Sequence, residues 1–242
     1  MMYLNERIDD LQRGGLRVIQ RADAFRFGTD AVLLADFAAP RRHDRVCDLG
    51  TGTGIIPLLL YARENTISAD AVEIQPDMAD MAARSMAMNG LNEKIRVLPG
   101  DLRSIRTLLP HARYDLVTCN PPYGKAGGTL LNPDASKRLA RHEESCAIED
   151  VACAAAWLLQ NGGRLCCVFP AARMIELSDA MRKYRMAPKR IRMVQSRVEK
   201  AAHLCLMEGM LDARPGLIIE PPLVIYDENN AYTPELRRIY GL

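Results

Sequence analysis

The sequence has no run approaching the roughly 18 uninterrupted apolar residues that a membrane helix needs. Its first residues, Met1-Met2-Tyr3-Leu4-Asn5-Glu6-Arg7, carry no basic stretch ahead of an apolar core, so no secretory signal is expected. Both absences point to a cytoplasmic protein with no membrane partner. The seven cysteines are odd in number and form no C-x-x-C pair; the adjacent Cys166 and Cys167 read as small core residues in an apolar run. With only four histidines, none at ligand spacing to a cysteine, no metal is expected. Internal repeats and low-complexity linkers are absent too. That leaves 242 residues, 48% hydrophobic and 26% charged, to form one domain around a continuous core.

A large net charge is also missing, the total being +2, but the charges are unevenly spread. Arg182, Lys183, Arg185, Lys189, Arg190, Arg192, Arg197 and Lys200 stand close together with Glu199 as the single acid among them. A smaller basic group is Arg41, Arg42, His43 and Arg45. Such clusters form either a phosphate-binding surface or a plain solvated face.

From Arg45 the chain alternates short apolar runs with helical stretches, the pattern of a doubly wound, Rossmann-like α/β sheet. Strands are predicted at Arg45–Leu49, Asp70–Ile74, Ile95–Leu98, Tyr114–Cys119 and Arg164–Phe169. Closing strands are predicted at Lys189–Val194, Ala202–Met210 and Leu217–Ile219, in a mostly parallel sheet with an antiparallel C-terminal strand. Helices follow the turn 50–54 as far as Arg63, start at Pro76-Asp77 and stop at Asn89-Gly90, and span Ala147–Gln160 and Ala172–Tyr184. Residues 1–40 form an N-terminal segment whose Phe25–Leu34 stretch turns into a helix over the nucleotide end of the core, residues 45–242. Residues 124–145, rich in Gly, Lys and Arg, read as a mobile loop beside the fourth strand.

Two constellations carry chemistry. In the first, Asp48-Leu49-Gly50-Thr51-Gly52-Thr53-Gly54 joins a strand directly to a helix, where glycines admit close approach of a ligand. Ile55 stands where a dinucleotide fingerprint would place its last glycine, which disfavours a nicotinamide oxidoreductase. Asp48 suits an ammonium or sulfonium better than a pyrophosphate. Glu73 ends the second strand, where an acid accepts from ribose hydroxyls, and Asp101 ends the third, where a carboxylate accepts from an adenine amino group. This order resembles the S-adenosylmethionine-dependent methyltransferase superfamily over roughly Arg45–Phe169. It implies a class I methyltransferase sheet with Asp48, Gly50, Gly52, Gly54, Glu73 and Asp101 on the cofactor.

In the second, Asn120-Pro121-Pro122-Tyr123 follows the fourth strand and matches the N-P-P-Y motif of methyltransferases acting on nitrogens conjugated to a planar system. An aryl amine is a poor nucleophile because its lone pair is delocalised. Two acceptors, the Asn120 side chain and the Pro121 carbonyl, favour its pyramidal form and stabilise the charge that grows on nitrogen. The prolines stiffen the loop, and Tyr123 offers a face for an extruded base.

Glutamine-amide methyltransferases share the motif but carry a helical domain ahead of the glycine turn. DNA enzymes often carry a recognition insert, for which this chain has little room. RNA with an accessible adenine fits best, with ribosomal RNA, DNA and a non-catalytic RNA-binding module as the rivals. Phe25–Leu34, Asn120–Tyr123 with Ala140-Arg141-His142-Glu143, and Pro221–Asp227 are similar to the bacterial tRNA(Val) adenine-37 N6-methyltransferases. That resemblance implies that Phe27, Thr29, Asp30 and Asn120 meet the cofactor. It also implies that the basic face, with Lys125, Lys189, Arg190 and Arg192, holds tRNA. Arg141-His142-Glu143 fits either an RNA contact or an ion-paired helix start.

Overall fold

The computed structural model describes residues 3, 5–21, 28–122 and 147–242. The chain opens with an antiparallel hairpin, β1 (Glu6–Asp10) and β2 (Arg17–Arg21). These runs are short and heavily charged, so strand periodicity does not announce them. The signal they carry is Gly14-Gly15, both at positive φ (58° and 71°), which suits a tight hairpin turn. Val18 and Ile19 of β2 are buried, and Ile19 N–H donates to Ser85 Oγ on the helix beneath.

The core follows as α1 (Thr29–Ala38), β3 (Arg45–Leu49), α2 (Ile55–Arg63), β4 (Ser68–Glu73), α3 (Pro76–Met88), β5 (Ile95–Pro99), the short α4 (Ile105–Leu108) and β6 (Tyr114–Cys119). After the undescribed stretch come α5 (Ile148–Leu158), β7 (Leu159–Pro170), α6 (Met174–Lys183), β8 (Met186–Gln195), β9 (Leu204–Leu211), β10 (Ile218–Val224) and α7 (Pro234–Tyr240).

Among the described residues, eight strands form one sheet in the order β10-β8-β9-β7-β6-β3-β4-β5. Only β9 runs against its neighbours, and it lies between β7 and β8 rather than at an edge. One face packs on α1, α2, α7 and the Met86 side of α3; the other packs on α4, α5 and α6. Burial on both faces is why the central strands are continuously apolar rather than alternating. The expected doubly wound, mostly parallel sheet is the fold observed. The order also reverses direction at β3, so the loops after β3 and β6 diverge and leave a crevice at the carboxyl ends of the strands.

Several boundaries differ from expectation, three of them instructively. Asn161-Gly162-Gly163 does not end α5; it forms an irregularity inside β7, with Gly162 at φ 77° and the β6 register slipping between Tyr114 and Leu116. β8 starts earlier than predicted, directly after Arg185 at φ 65°. β10 extends through Pro221-Pro222 because it is an edge strand, where the missing N–H groups cost no ladder bond, and its register shifts between Glu220 and Leu223. No helix among the described residues is long and apolar enough to cross a membrane.

Candidate active site

The β3–α2 turn is built to hold itself open. Gly50 and Thr51 N–H both donate to Val72 O, at 2.9 and 3.0 Å, tying the turn to β4. Glu73, buried at the end of β4, accepts from Gly52 N–H (2.8 Å) and from Gln75 N–H (2.9 Å), one on each oxygen. Gly54 stands at φ 83°, and a Cβ there would come within 2.5 Å of Met86 Cε and 3.3 Å of Ala82 Cβ, so glycine lets α2 and α3 close beneath the turn.

Asp48 is fully buried beneath this turn. Its Oδ1 accepts from Thr118 Oγ1 at 2.6 Å, while Oδ2 and the neighbouring Thr51 Oγ1 are buried with no hydrogen-bond partner in the protein. Burial pushes the Asp48 carboxyl up to about 7, against the nearby Thr118 and Thr51 hydroxyls, which favour the charged form although Thr51 Oγ1 does not reach full hydrogen-bond geometry. Orphaned buried polar atoms carry a free-energy cost unless a ligand completes them. A cationic or hydroxyl-bearing ligand fits here; a phosphate does not.

Register brings the second constellation to the same place. Leu49 pairs with Cys119 across β3 and β6, so Asn120 emerges opposite Gly50. Asn120 lines one cavity of about 220 Å³ together with Gly50, Thr51, Gly52, Thr53, Ile55, Ile56, Met78, Gly28, Ala31, Gln20 and Arg21. Pro121 is buried and Pro122 exposed. α1 enters beside this cavity: Thr29 Oγ1 accepts from the Tyr240 hydroxyl at 3.2 Å, and Tyr240 stacks on Tyr232, which stacks on Tyr226. Burial raises the Asp30 carboxyl in the first turn of α1. Asp101 follows β5 but accepts from Arg103 at its backbone N–H (2.8 Å) and guanidinium (2.6 Å), which lowers it and leaves it a partly occupied acceptor. Phe27, Tyr123, Lys125, Arg141 and His142, with the 124–145 loop, lie outside the described residues.

The methyltransferase small domain family matches residues 22–191. A tRNA1(Val) (adenine(37)-N6)-methyltransferase of Porphyromonas gingivalis is 32% identical over 91% of this chain and 89% of its own length. One from Tolumonas auensis is 34% identical over 88% of this chain and 86% of its own. The chain belongs to the tRNA1(Val) (adenine(37)-N6)-methyltransferase family. The class I methyltransferase fold of the family recurs in more distant structures. A predicted O-methyltransferase of Agrobacterium tumefaciens superposes with a TM-score of 0.73 at 24% identity, covering 88% of this chain and 96% of that one. TrmN of Thermus thermophilus superposes with a TM-score of 0.55 at 23% identity, covering 75% and 48%.

Within this family member two arginines of the basic stripe are tied into ion pairs. Arg190 donates to Glu220, Glu208 and the Phe37 carbonyl, and lies over the Phe37 ring. Arg192 makes a two-pronged contact with Glu235 at 2.8 Å and donates to the Pro221 carbonyl. Lys189 donates to Arg214 O and stands near the amino end of β8, six residues short of the strand's carboxyl end at Gln195 and so about 20 Å from the cavity edge of the sheet. Arg190 and Arg192 are therefore engaged in internal ion pairs, and Lys189 sits at the amino end of its strand.

Arg164, which is buried, joins the same network through Glu208, Asp44 and the Ala38 carbonyl. Together Arg164 and Arg190 satisfy carbonyls at the end of α1, the helix whose start borders the cavity.

Sequence reasoning missed Gln20 and Arg21, because they reach the cavity from a hairpin that periodicity did not reveal. A larger cavity of about 690 Å³, lined by Arg197, Val198, Tyr226 and Asp227 among others, lies near β10, about four strand spacings or ~19 Å from Asn120. Size alone does not make it the reaction site. The glycine turn and Asn120 meet in the smaller one, with Asp48 buried beneath the turn.

Proposed function

We propose that the protein transfers a methyl group from S-adenosylmethionine to the exocyclic N6 of an adenine in tRNA, adenine 37 of the anticodon loop. The observation that carries this reading is that Asn120 opens into the same cavity as the Gly50–Gly54 turn, above an acid with one oxygen unpartnered. S-adenosylmethionine supplies an electrophilic methyl group on a positively charged sulfur. Asp48 and Thr51 complete their hydrogen bonding on the ligand, Glu73 offers its remaining lone pairs to ribose hydroxyls, and Asp101 meets the adenine edge. Gly50, Gly52 and Gly54 keep the turn open to it, and Phe27, Thr29 and Asp30 close the N-terminal side.

On the acceptor side, the Asn120 carboxamide oxygen and the Pro121 carbonyl accept the two N6 hydrogens. The nitrogen lone pair is thereby turned toward the methyl carbon, the new N–C bond forms as the C–S bond breaks, and the N6 proton departs to water. No strong base is needed, because the methylated nitrogen is very acidic until that proton leaves. Pro122 stiffens the loop, and Tyr123 gives the flipped base a stacking face. Lys125, Arg141 and His142 face RNA. The loop 196–203, at the carboxyl end of β8, adds the exposed Lys200 on the cavity side of the sheet. The cytoplasm, where tRNA matures, is the place of action.

The test is methyl transfer from labelled S-adenosylmethionine to total tRNA, total ribosomal RNA and DNA from a strain lacking the protein, read by nucleoside mass spectrometry. N6-methyladenosine confined to tRNA supports the proposal. Label appearing in ribosomal RNA or DNA instead rejects it.

A further inference from the structure

Methyl transfer at Asn120 leaves unused the cavity of about 690 Å³ beside β10. It opens on the same edge of the sheet as Asn120. β6, β7, β8 and β10 run in one direction, so the residues that follow β8 and β10 emerge on the edge where Asn120 follows β6. Arg197, Val198 and Glu199 line the cavity from the loop after β8, and Tyr226 and Asp227 from the chain after β10. A volume of this size takes a guest as large as a nucleoside.

The lining favours a flat, uncharged guest over a phosphate. Tyr226 is half-buried and stacks on Tyr232 at 5.5 Å, which stacks on Tyr240 at 5.7 Å, so this aromatic plate is held before any guest arrives. Val198 stands 77% exposed at the lip, an apolar side chain left to water. Arg197 is the one cation among the described lining residues, and its guanidinium is already donated to the Asp227 carbonyl and to Asn230 Oδ1 (2.8 Å). Asp227 Oδ1 accepts from the N–H groups of Asn229 and Ala231, both at 2.9 Å. That fixes the carboxylate, while its Oδ2 takes no hydrogen bond among the described residues. A phosphate is repelled there, whereas a base N–H is accepted.

The cavity is also tied to the catalytic one. Tyr240 donates to Thr29 at the start of α1, between Gly28 and Ala31, which line the cavity of Asn120. On the other side, the loop 196–203 runs from the lip to His203, which lies close enough to Asp30 of α1 for their charges to interact. Lys200 is exposed on that stretch and makes no ion pair among the described residues. Two sites fixed on one frame, about four strand spacings or ~19 Å apart, measure off a few nucleotides of unpaired RNA.

We propose that the cavity beside β10 receives a second unpaired base of the tRNA substrate, stacked on Tyr226 a few nucleotides from the methylated adenine, with the backbone outside it over Lys200. The inference rests on the tRNA reading above and adds to it a site that sets which adenine reaches Asn120.

The experiment measures methyl transfer to an anticodon stem-loop hairpin carrying the target adenine, and to hairpins in which one abasic nucleotide is walked through the loop. The full chain is compared with Tyr226→Leu, Tyr226→Phe and Val198→Asp, and calorimetric binding of S-adenosylhomocysteine is the control. In the unsubstituted chain, one abasic position other than the target raises KM about tenfold. Tyr226→Leu raises KM about tenfold for the intact hairpin and adds nothing at that abasic position, and Tyr226→Phe, which keeps the plate, recovers most of the loss. Val198→Asp, at an exposed position that folding does not depend on, raises KM several-fold by placing an anion at the lip. Affinity for S-adenosylhomocysteine stays within about twofold in all of them.

If no abasic position apart from the target matters, or if Tyr226→Leu and the abasic position act independently, the cavity takes no base and the inference fails. A parallel loss of S-adenosylhomocysteine affinity in Tyr226→Leu assigns the tyrosine to propping α1, and an unchanged KM in Val198→Asp leaves the lip clear of RNA; either result overturns it. If the unsubstituted chain labels ribosomal RNA or DNA and no hairpin, the tRNA reading fails and the inference with it.

Discussion

Asp48 should make ligand binding depend on pH in a way that can be worked out beforehand. Its carboxyl, fully buried with one oxygen unpartnered, stands at about 7 in the free protein, against 3.8 for an ordinary aspartate. That difference makes its ionisation harder by on the order of 4 kcal/mol. A ligand that brings an ammonium into the cavity favours the charged form and returns the carboxyl toward its ordinary range. Binding then releases a proton whenever the free protein still holds one.

The apparent Kd for S-adenosylhomocysteine should therefore be flat near pH 8, about twofold weaker at pH 7 and about tenfold weaker at pH 6. Calorimetry in two buffers of different ionisation enthalpy should report about half a proton released at pH 7 and about 0.9 at pH 6. The same group acts on folding with the opposite trend. Its raised value means that the folded state holds the proton more tightly than the unfolded chain. That stabilisation is fully present below about 4 and is lost as pH rises through about 7. The thermal shift produced by ligand should thus grow from pH 6 to pH 8. Asp48→Asn should flatten both profiles. An affinity constant across this range, with no proton released, would refute the reasoning.

Asn120→Ala should keep S-adenosylhomocysteine affinity within about twofold while lowering kcat on the order of 10²–10³-fold; an unchanged kcat removes Asn120 from the amine. Gly54→Ala combines a strained φ with contact on Met86 and Ala82, and should lower stability by about 3 kcal/mol and Tm by roughly 10 °C, seen by differential scanning calorimetry. Glu208→Ala takes from Arg164 and Arg190 the acid they share, leaving them Asp44 and Glu220, and should remove about 2 kcal/mol in urea unfolding; no measurable loss means Glu208 adds nothing to those remaining partners. Lys200→Ala should lower the salt slope of tRNA binding by about one, whereas Lys189→Ala should leave it unchanged, and the reverse pattern would place the RNA on the other edge of the sheet.

Much of the site was legible because its chemistry is local. Asp48, the glycine turn, Glu73 and Asn120-Pro121-Pro122 each sit at a strand end, and strand ends follow from apolar runs bounded by turn residues. The basic stripe shows where such reading stops. Arg190 and Arg192 are two residues apart on one face of β8, and their acids come from Glu208 on β9, Glu220 on β10 and Glu235 on α7. Each lies 18 to 43 positions away, so charge counting along the chain saw only the cations. Arg21 was hidden for a related reason: its hairpin is too short and too charged to show a period, and only its docking on α3 turns the end of β2 toward the cavity.

Taken alone, the order of residues determined the alternating α/β scaffold, the glycine turn and the acceptor motif after the fourth strand, since these depend on near-neighbour periodicity, backbone permissiveness and the chemistry of single side chains. Only the folded chain decided which charges are spent internally and which remain for a ligand. Ion pairing and burial are set by distances between strands remote in sequence, and those distances exist only once the sheet has formed and α1 packs on its face.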